Sequence, residues 1–180
     1  VTAVLPVMHN PTLGNVGLLM RLWSVVLAGN LIGTAVAAWA FNYMPIFDEP
    51  TRQAFVSIAE DVMKNSPTEM FANAIISGWL VATMVWMFPV AGAAKIVVII
   101  LMTWLIALAD TTHIVVGSVE ILYLVFNGNL PWSDFIWPFA LPTLAGNICG
   151  GTFIFALLSH AQIRNDMSSK RKAEARAQAA

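Results

Sequence analysis

Charge is scarce in this sequence. Only 11% of its 180 residues are Asp, Glu, Lys or Arg, whereas 58% are hydrophobic. Because soluble domains carry roughly 25% charged residues, we predict an all-α integral membrane protein. The apolar runs contain Gly and Pro and lack alternating polarity, so they predict membrane helices rather than barrel strands.

Patterns for metal binding and catalysis are also missing. A lone Cys149 gives no disulfide framework. The histidines His9, His113 and His160 lie far apart without a Cys-rich cluster, so we expect neither a metal nor a cofactor. No Gly-rich phosphate loop and no nucleophile triad is visible. We therefore predict no enzyme and no nucleic-acid partner, and the basic C-terminal tail is better explained as a contact with anionic lipid.

Long uncharged runs over 22–44, 70–94, 96–126 and 135–159 predict four membrane spans. Residues 1–8 are apolar and are interpreted as the end of a helix that starts upstream, so we expect N-terminal spans to be missing from this chain. The predicted organisation is a transmembrane channel or transporter domain over 1–161, followed by a basic tail over 162–180.

The basic residues are distributed unevenly. If successive helices alternate in direction, seven of the nine Lys and Arg residues fall on one side of the membrane, and acidic residues collect on the other. The seven are Arg21, Lys95, Arg164, Lys170, Arg171, Lys172 and Arg176. By the positive-inside rule we expect the C-terminus to be cytoplasmic and the loop 45–69 to be external.

The run 96–126 is too long for one straight span. As a single helix it would extend about 46 Å at roughly 1.5 Å per residue, against a bilayer core about 30 Å thick. Its acidic and histidine residues are Asp110, His113 and Glu120. We therefore predict two half-helices that meet at 110–113, an arrangement typical of membrane transport sites.

One motif, Ala-Gly-Asn-apolar-x-Gly, occurs at 28–33 and again at 145–150. Under the topology above the two copies run in opposite directions, which indicates an inverted repeat. The glycines are predicted to allow close helix packing. Asn30 and Asn147 are predicted to brace the broken helices, with direct contact with a permeant solute as the alternative.

The functional prediction depends on His113. An ionisable side chain within a membrane span is a functional candidate, and imidazole can exchange a proton near neutral pH. Asp110 is predicted to cap the second half-helix, which should begin near Thr111, with a proton-relay role as the alternative. Glu120 lies either at the outer interface, the interpretation we prefer, or in the pathway as a second acid.

The external loop carries two further signals. Phe55, Ile58 and Val62 recur at helical spacing and predict a short amphipathic helix over 50–64. Ser66 and Glu69 have the spacing of a capping box, so the next span should begin beside them. Pro89 and Gly92 are predicted to end that span.

Together these motifs resemble the formate/nitrite transporter family over about residues 1–161. The motifs are Gly29-Asn30-Leu31-Ile32-Gly33, Gly78-Trp79-Leu80-Val81, the mid-membrane His113 and Gly146-Asn147-Ile148-Cys149-Gly150-Gly151. The resemblance implies an aquaporin-like inverted-repeat bundle of six spans with broken helices, of which this chain holds the last four. It also implies a homopentamer in a bacterial inner membrane, with one pore per protomer.

The resemblance further implies passage of small monovalent anions, such as formate or nitrite, with or without protons. The residues it assigns to the pathway are His113, Thr112, Asp110, Gly117, Gly78 and Val81, and Lys64 is the candidate cation of the outer vestibule. Family members commonly have Gly-Phe-Glu-His where this chain has 110–113. We expect an anion channel or transporter; the alternative is a transporter-like membrane scaffold without transport activity.

Overall fold

The computed structural model describes residues 2–4, 7 and 10–155, so the predicted tail over 162–180 lies outside the described residues. Within them the chain forms helices and turns without a strand. The main helices are α1 (Leu13–Tyr43), α2 (Glu49–Met63), α3 (Pro67–Ala91), α4 (Lys95–Leu108) and α5 (Ile114–Phe126). A last segment, 132–154, consists of Trp132–Asp134, a π-helical turn Phe135–Ala140, α6 (Leu141–Ile148) and a second π-helical turn Cys149–Ile154.

Local capping chemistry sets the starts of α2 and α3. The Ser66 Oγ accepts a hydrogen bond from the Glu69 N–H at 3.3 Å, and the Glu69 carboxylate accepts one from the Ser66 N–H at 2.8 Å. The predicted capping box is therefore confirmed. Asp48 Oδ1 accepts from the Thr51 N–H at 3.1 Å and begins α2, which confirms the predicted short helix. Hydrogen bonds from the Thr51 side chain and backbone lower the pKa of the Asp48 carboxyl.

α3 and α4 form a hairpin. Thr112, just beyond α4, donates a hydrogen bond from its hydroxyl to the Met70 carbonyl near the start of α3 at 2.8 Å. The chain must therefore reverse between the two helices, and it does so at Gly92, which has φ 50° and ends α3. Pro89 lies inside α3 and does not end it, contrary to the prediction.

Two helical runs among the described residues are long and apolar enough to cross a membrane, Leu13–Tyr43 and Pro67–Leu108. The second run contains the α3–α4 hairpin. The predicted run 96–126 is broken as expected, because α4 ends at Leu108 and α5 begins at Ile114. The last segment begins at Trp132 and is kinked at Trp137, whose φ of −138° and ψ of 123° are not helical.

α5 is the most enclosed of the helices. Residues 121–125 are all buried, and the Tyr43 hydroxyl donates to the Phe126 carbonyl at 3.0 Å, so α1 and α5 end side by side and run parallel. Trp132 contacts Phe126, and Phe139 lies against Gly117. The last segment therefore runs antiparallel to α5, and the start of α5 lies in the interior of the bundle.

The outer helices carry apolar surface. α4 has no buried residue, and Ile96 and Trp104 on it are 68% and 57% exposed. Only Thr34, Ala38 and Asn42 of α1 are buried. In a membrane such faces contact lipid or further helices.

Candidate functional site

The break between α4 and α5 begins with a residue in the left-handed conformation. The Thr111 N–H donates to the Ile106 carbonyl and the Asp110 N–H to the Ala107 carbonyl, each at 3.2 Å. This pair is the Schellman pattern, whose closing residue has positive φ. Asp110, with φ 49°, is that residue, and Asp adopts this conformation more readily than most side chains. The predicted cap of α5 by Asp110 is therefore wrong, because Asp110 ends α4.

His113 caps α5 instead. Its backbone is extended, with φ −132° and ψ 131°, and its Nδ1 accepts a hydrogen bond from the Val115 N–H at 3.3 Å. Because Nδ1 is the acceptor, the neutral ring carries its proton on Nε2. Caps are usually Ser, Thr, Asp or Asn, and this preference misplaced the predicted helix start at Thr111; the structure begins α5 at Ile114.

Asn147 connects the last segment to the break and to α3. Its Oδ1 accepts from the Ile114 N–H, the first of α5, at 2.9 Å. Its Nδ2 donates to the Ala74 carbonyl at 2.8 Å and to the Ser77 hydroxyl at 3.0 Å. One amide therefore uses both of its donor hydrogens and its oxygen to join three helical elements.

Ser77 and Thr112 extend this network. The buried Ser77 hydroxyl donates to the Thr112 carbonyl at 2.5 Å, and the Thr112 hydroxyl reaches the Met70 carbonyl. Non-helical backbone at membrane depth needs such protein partners. We call the three side chains of Ser77, Thr112 and Asn147, together with the Ile114 N–H, the break clamp.

Glycines bring the last segment close enough to α3 for this clamp to form. A Cβ on Gly146 would lie 2.6 Å from the Ala74 Cβ, and a Cβ on Gly150 would overlap the Ile75 carbonyl oxygen. Gly78 makes the reciprocal contact, because a Cβ there would collide with the backbone of the last segment. The predicted packing role of the glycines holds for the 145–150 copy of the motif.

A cavity of about 530 Å³ lies between α1, α3, the start of α5 and the last segment. Apolar side chains such as Trp23, Leu27 and Leu144 form most of its wall. The polar side chains on it are those of Ser24, Asn30, His113 and Asn147. We call it the histidine cavity. An apolar cavity with a few converging polar groups is the usual form of a small-solute site.

The structure brings together half of the predicted pathway residues. Those on the histidine cavity are His113, Gly78 and Val81. Those that lie elsewhere are Thr112, Asp110 and Gly117. The Thr112 side chain belongs to the break clamp, Asp110 is exposed beyond α4, and Gly117 is buried, with the Phe139 Cζ 2.8 Å from the place of a Cβ.

Asn30 and Lys64 have local partners. Asn30 lines the histidine cavity, and its Nδ2 donates to the Val26 carbonyl of its own helix at 3.0 Å. Lys64 follows α2, and its ammonium pairs with the Asp61 carboxylate at 2.5 Å, with both side chains exposed. The hydrogen bond to Asp61 raises the pKa of Lys64.

Sequence reasoning missed two members of the site. Ser77 carried a usable signal, since a Ser hydroxyl on an otherwise apolar span tends to hydrogen-bond a neighbouring helix. Val115 carried none, because its backbone N–H holds the His113 ring and any residue other than proline supplies that group. Over the described ranges no group of three His, Cys, Asp or Glu converges as metal ligands would.

A second cavity, of about 420 Å³, lies between α1, α2 and α5, and we call it the glutamate cavity. Glu120 is half-buried and is the only charged residue of the described chain that lines it. Val115 borders both this cavity and the histidine cavity. Glu120 thus lies midway along α5 beside a cavity; its position relative to the membrane interface stays a prediction.

Comparisons with known proteins identify the family of the chain. The sequence profile described as "Formate/nitrite transporter" matches residues 1–161. The chain is 84% identical over 179 residues to the inner membrane protein YfdC of Escherichia coli strain K12, covering 99% of the chain and 58% of that protein. It therefore spans a little over half the length of this relative. No solved structure matches the chain.

Proposed function

The chain belongs to the formate/nitrite transporter family, and on this premise we propose that it forms part of a membrane channel or transporter for small monovalent anions such as formate or nitrite. The family points to transport and not to catalysis. The observation that carries the proposal is the histidine cavity, in which a titratable ring, a free amide hydrogen and apolar walls converge.

The available donors on this cavity are few. The Ile114 and Val115 N–H groups at the start of α5 already bind Asn147 and His113. Both amide hydrogens of Asn147 are used within the break clamp. Among the described residues, the donors left for a solute are therefore the Nε2–H of His113, the second amide hydrogen of Asn30, and the side chains of Ser24 and Trp23.

An anion that enters an apolar cavity loses hydration at a large cost unless a donor or a proton compensates. His113 offers either. Its Nε2–H can donate a hydrogen bond while the ring stays neutral, or a protonated ring can give its proton so that the solute crosses as the neutral acid. The helix dipole of α5 adds positive potential at its start, equivalent to about half an elementary charge. Both schemes need His113 on the cavity.

The larger architecture in this proposal is the aquaporin-like inverted repeat of six spans, with residues 1–161 as the last four. In its support, α1 and the last segment, which hold the two motif copies, are antiparallel.

The proposed assembly is a homopentamer in a bacterial inner membrane, with a cytoplasmic C-terminal tail over 162–180. Asn147 is proposed to brace the broken helix, whereas Asn30, whose partner is a carbonyl of its own helix, is proposed to contact the solute, the alternative to the bracing role expected from the sequence. Lys64 is proposed to face the outer vestibule, and Thr112, Asp110 and Gly117 to shape the pathway from behind the cavity wall.

The test is uptake of formate, nitrite, acetate, lactate and hydrosulfide into proteoliposomes that contain the intact protein. We expect flux of at least one anion above that of empty vesicles, with a dependence on pH. Absence of flux for every anion would overturn the transport proposal and favour the scaffold.

Variants of His113 separate mechanism from packing. His113→Phe should abolish or severely slow flux without changing the oligomer in size-exclusion chromatography, because the Nε2–H is lost. His113→Asn should keep a donor and lose the part of the pH profile that the imidazole ring supplies. Trp104→Phe, on the exposed face of α4, is the control. Flux of His113→Phe at the wild-type rate and with the wild-type pH profile would show that the ring only packs.

A further inference from the structure

The glutamate cavity and the histidine cavity are neighbours along α5. Val115 forms part of the wall of both. His113 and Glu120 are seven positions apart, which is about two helical turns and roughly 10 Å along the axis, and residues at this spacing lie on a similar face. His113 on one cavity and Glu120 on the other thus lie on opposite sides of Val115.

A third cavity extends the same line toward the ends of α1 and α5. It has a volume of about 270 Å³, and Tyr123 lines both it and the glutamate cavity. Its wall is polar and includes Glu49, Arg52 and Asn127. The three cavities therefore adjoin in series from the polar end of the bundle to His113, with Tyr123 and Val115 as the two partitions.

The surroundings of Glu120 contain no compensating cation among the described residues. α1 contributes Phe41 to the cavity, and α2 contributes Phe55 and Ile58. In the last segment the phenyl ring of Phe139 packs beside α5 at Gly117, and the acid Asp134 of that segment lies at its outer start.

The other titratable and charged groups around this cavity do not neutralise Glu120. Asp110, in the break, acts on Glu120 as a like charge. Tyr123 is the other titratable group on the cavity. Arg52 lies beyond Tyr123, with its guanidinium donating to the carbonyls of Asn42, Met44 and Phe47 at 2.9, 2.9 and 3.3 Å.

From this geometry we propose that Glu120 is a second proton-binding residue of the transport pathway, which admits a monovalent anion toward His113 only when its carboxyl is protonated. The inference rests on the proposed function. A carboxylate in an apolar cavity repels an approaching anion at short range, because the low dielectric strengthens the interaction. A proton from the outer solution that binds one carboxylate oxygen removes this charge and creates an O–H donor for the anion.

Anion flux as a function of outer pH tests the proposal with Glu120→Gln, which keeps the shape and removes the charge. Wild-type flux should fall as the outer pH rises, whereas Glu120→Gln should keep only the pH dependence that His113 contributes, so that the ratio of variant flux to wild-type flux grows several-fold across the titration. Glu60→Gln, an exposed residue of α2, is the matched control and should follow the wild type. A Glu120→Gln profile identical to that of the wild type overturns the proposal.

A second measurement does not depend on transport. Dicyclohexylcarbodiimide modifies protonated carboxyls in apolar surroundings, and mass spectrometry of wild-type proteoliposomes locates the adduct. We expect labelling of Glu120 that declines as pH rises over the range in which wild-type flux declines; an unlabelled Glu120 overturns the proposal.

The two proposals fail differently. If the wild type carries no anion at all, the proposed function fails, and the gating role fails with it. If wild-type flux is abolished by His113→Phe but Glu120→Gln is indistinguishable from the wild type, only the inference about Glu120 is lost. If the flux of Glu120→Gln exceeds that of the wild type at high pH, both proposals are supported.

Discussion

The two copies of the Ala-Gly-Asn motif share Ala, Gly, Asn and the final Gly but have different surroundings. In the 145–150 copy, Gly146 and Gly150 lie against the backbone of α3, where a Cβ would collide with it. In the 28–33 copy on α1, a Cβ on Gly29 or Gly33 would meet nothing within 4 Å.

The asparagines differ in the same way. Asn147 holds three helical elements together, whereas Asn30 binds only one carbonyl of its own helix and borders the cavity. A small-residue motif therefore supplies the ability to pack closely, and the helix that comes against it decides whether that ability is used.

The largest effect is expected at Gly150. Gly150→Ala places a Cβ on the Ile75 carbonyl oxygen, so that α3 and the last segment must separate. Overpacking of this kind costs about 3 kcal/mol or more when backbone has to move. Gly33→Ala, the matching change on α1, meets open space and should be neutral or raise helix stability by about 0.5–1 kcal/mol. Thermal unfolding of the purified protein in detergent measures both.

If Gly150→Ala folds with the stability of the wild type, the contrast between the packed 145–150 copy and the open 28–33 copy is wrong. An equal loss for Gly33→Ala in the intact protein would contradict the expected difference and would show that a helix packs on the α1 copy as well, as the proposed inverted repeat requires.

A second loss is expected when Asn147 is replaced by the isosteric Leu. The Ile114 N–H and the Ala74 carbonyl lose their partner, and each buried polar group left unsatisfied costs about 1–3 kcal/mol. Asn30→Leu should cost no more than about 1 kcal/mol, because it removes one hydrogen bond within α1. Hydrogen exchange at the Ile114 amide should quicken in Asn147→Leu alone; protection unchanged from the wild type would mean that Asn147 does not hold the break.

A third change tests the conformation that ends α4. Asp110→Gly should stabilise the fold by about 1 kcal/mol, because glycine adopts positive φ without the Cβ strain of other residues. Asp110→Val should destabilise it by about 1–2 kcal/mol for the opposite reason. The unfolding midpoints of the two variants should bracket that of the wild type, and the reverse order would show that the carboxylate has a role beyond the turn.

The smallest effect lies away from both motif copies, at the start of α2. The pKa of Asp48 is lowered by its hydrogen bonds with Thr51, so the cap contributes stability above the unfolded pKa of about 3.9. That contribution is lost as pH falls through the lower folded pKa. Asp48→Asn keeps an acceptor without titrating, so the difference in stability between wild type and variant should change below about pH 4 and stay constant above it. If the difference in stability is the same at every pH, the hydrogen bonds between Asp48 and Thr51 do not contribute to the stability of the fold.

Several features could be predicted because they depend on residues near each other in the chain. The capping box at Ser66 and Glu69, the short helix after Asp48 and the break in 96–126 all follow from local chemistry and from the length of an apolar run. The family, and with it the class of function, followed from motifs at His113 and at the two Gly-Asn pairs.

The prediction for Asp110 was wrong for a local reason. Asp suits both a helix start and a left-handed helix end, and the sequence alone did not show that Asp110 ends α4 while His113 caps α5. The cavity beside Glu120 could not be predicted, because nothing along the chain shows that α1 and α2 leave one there.

The sequence by itself determined that this chain is helical, membrane-embedded and related to anion transporters, and that its third apolar run cannot be one straight helix. Only the tertiary structure decided which side chains hold the broken ends and which face a cavity. The reason is that composition and periodicity report properties of single helices, whereas the partners of Asn147 and Ser77 and the neighbours of Glu120 belong to helices that are distant in sequence. Close packing at glycines brings α3 and the last segment together, and only the fold shows which aromatic side chains of α1 and α2 surround Glu120.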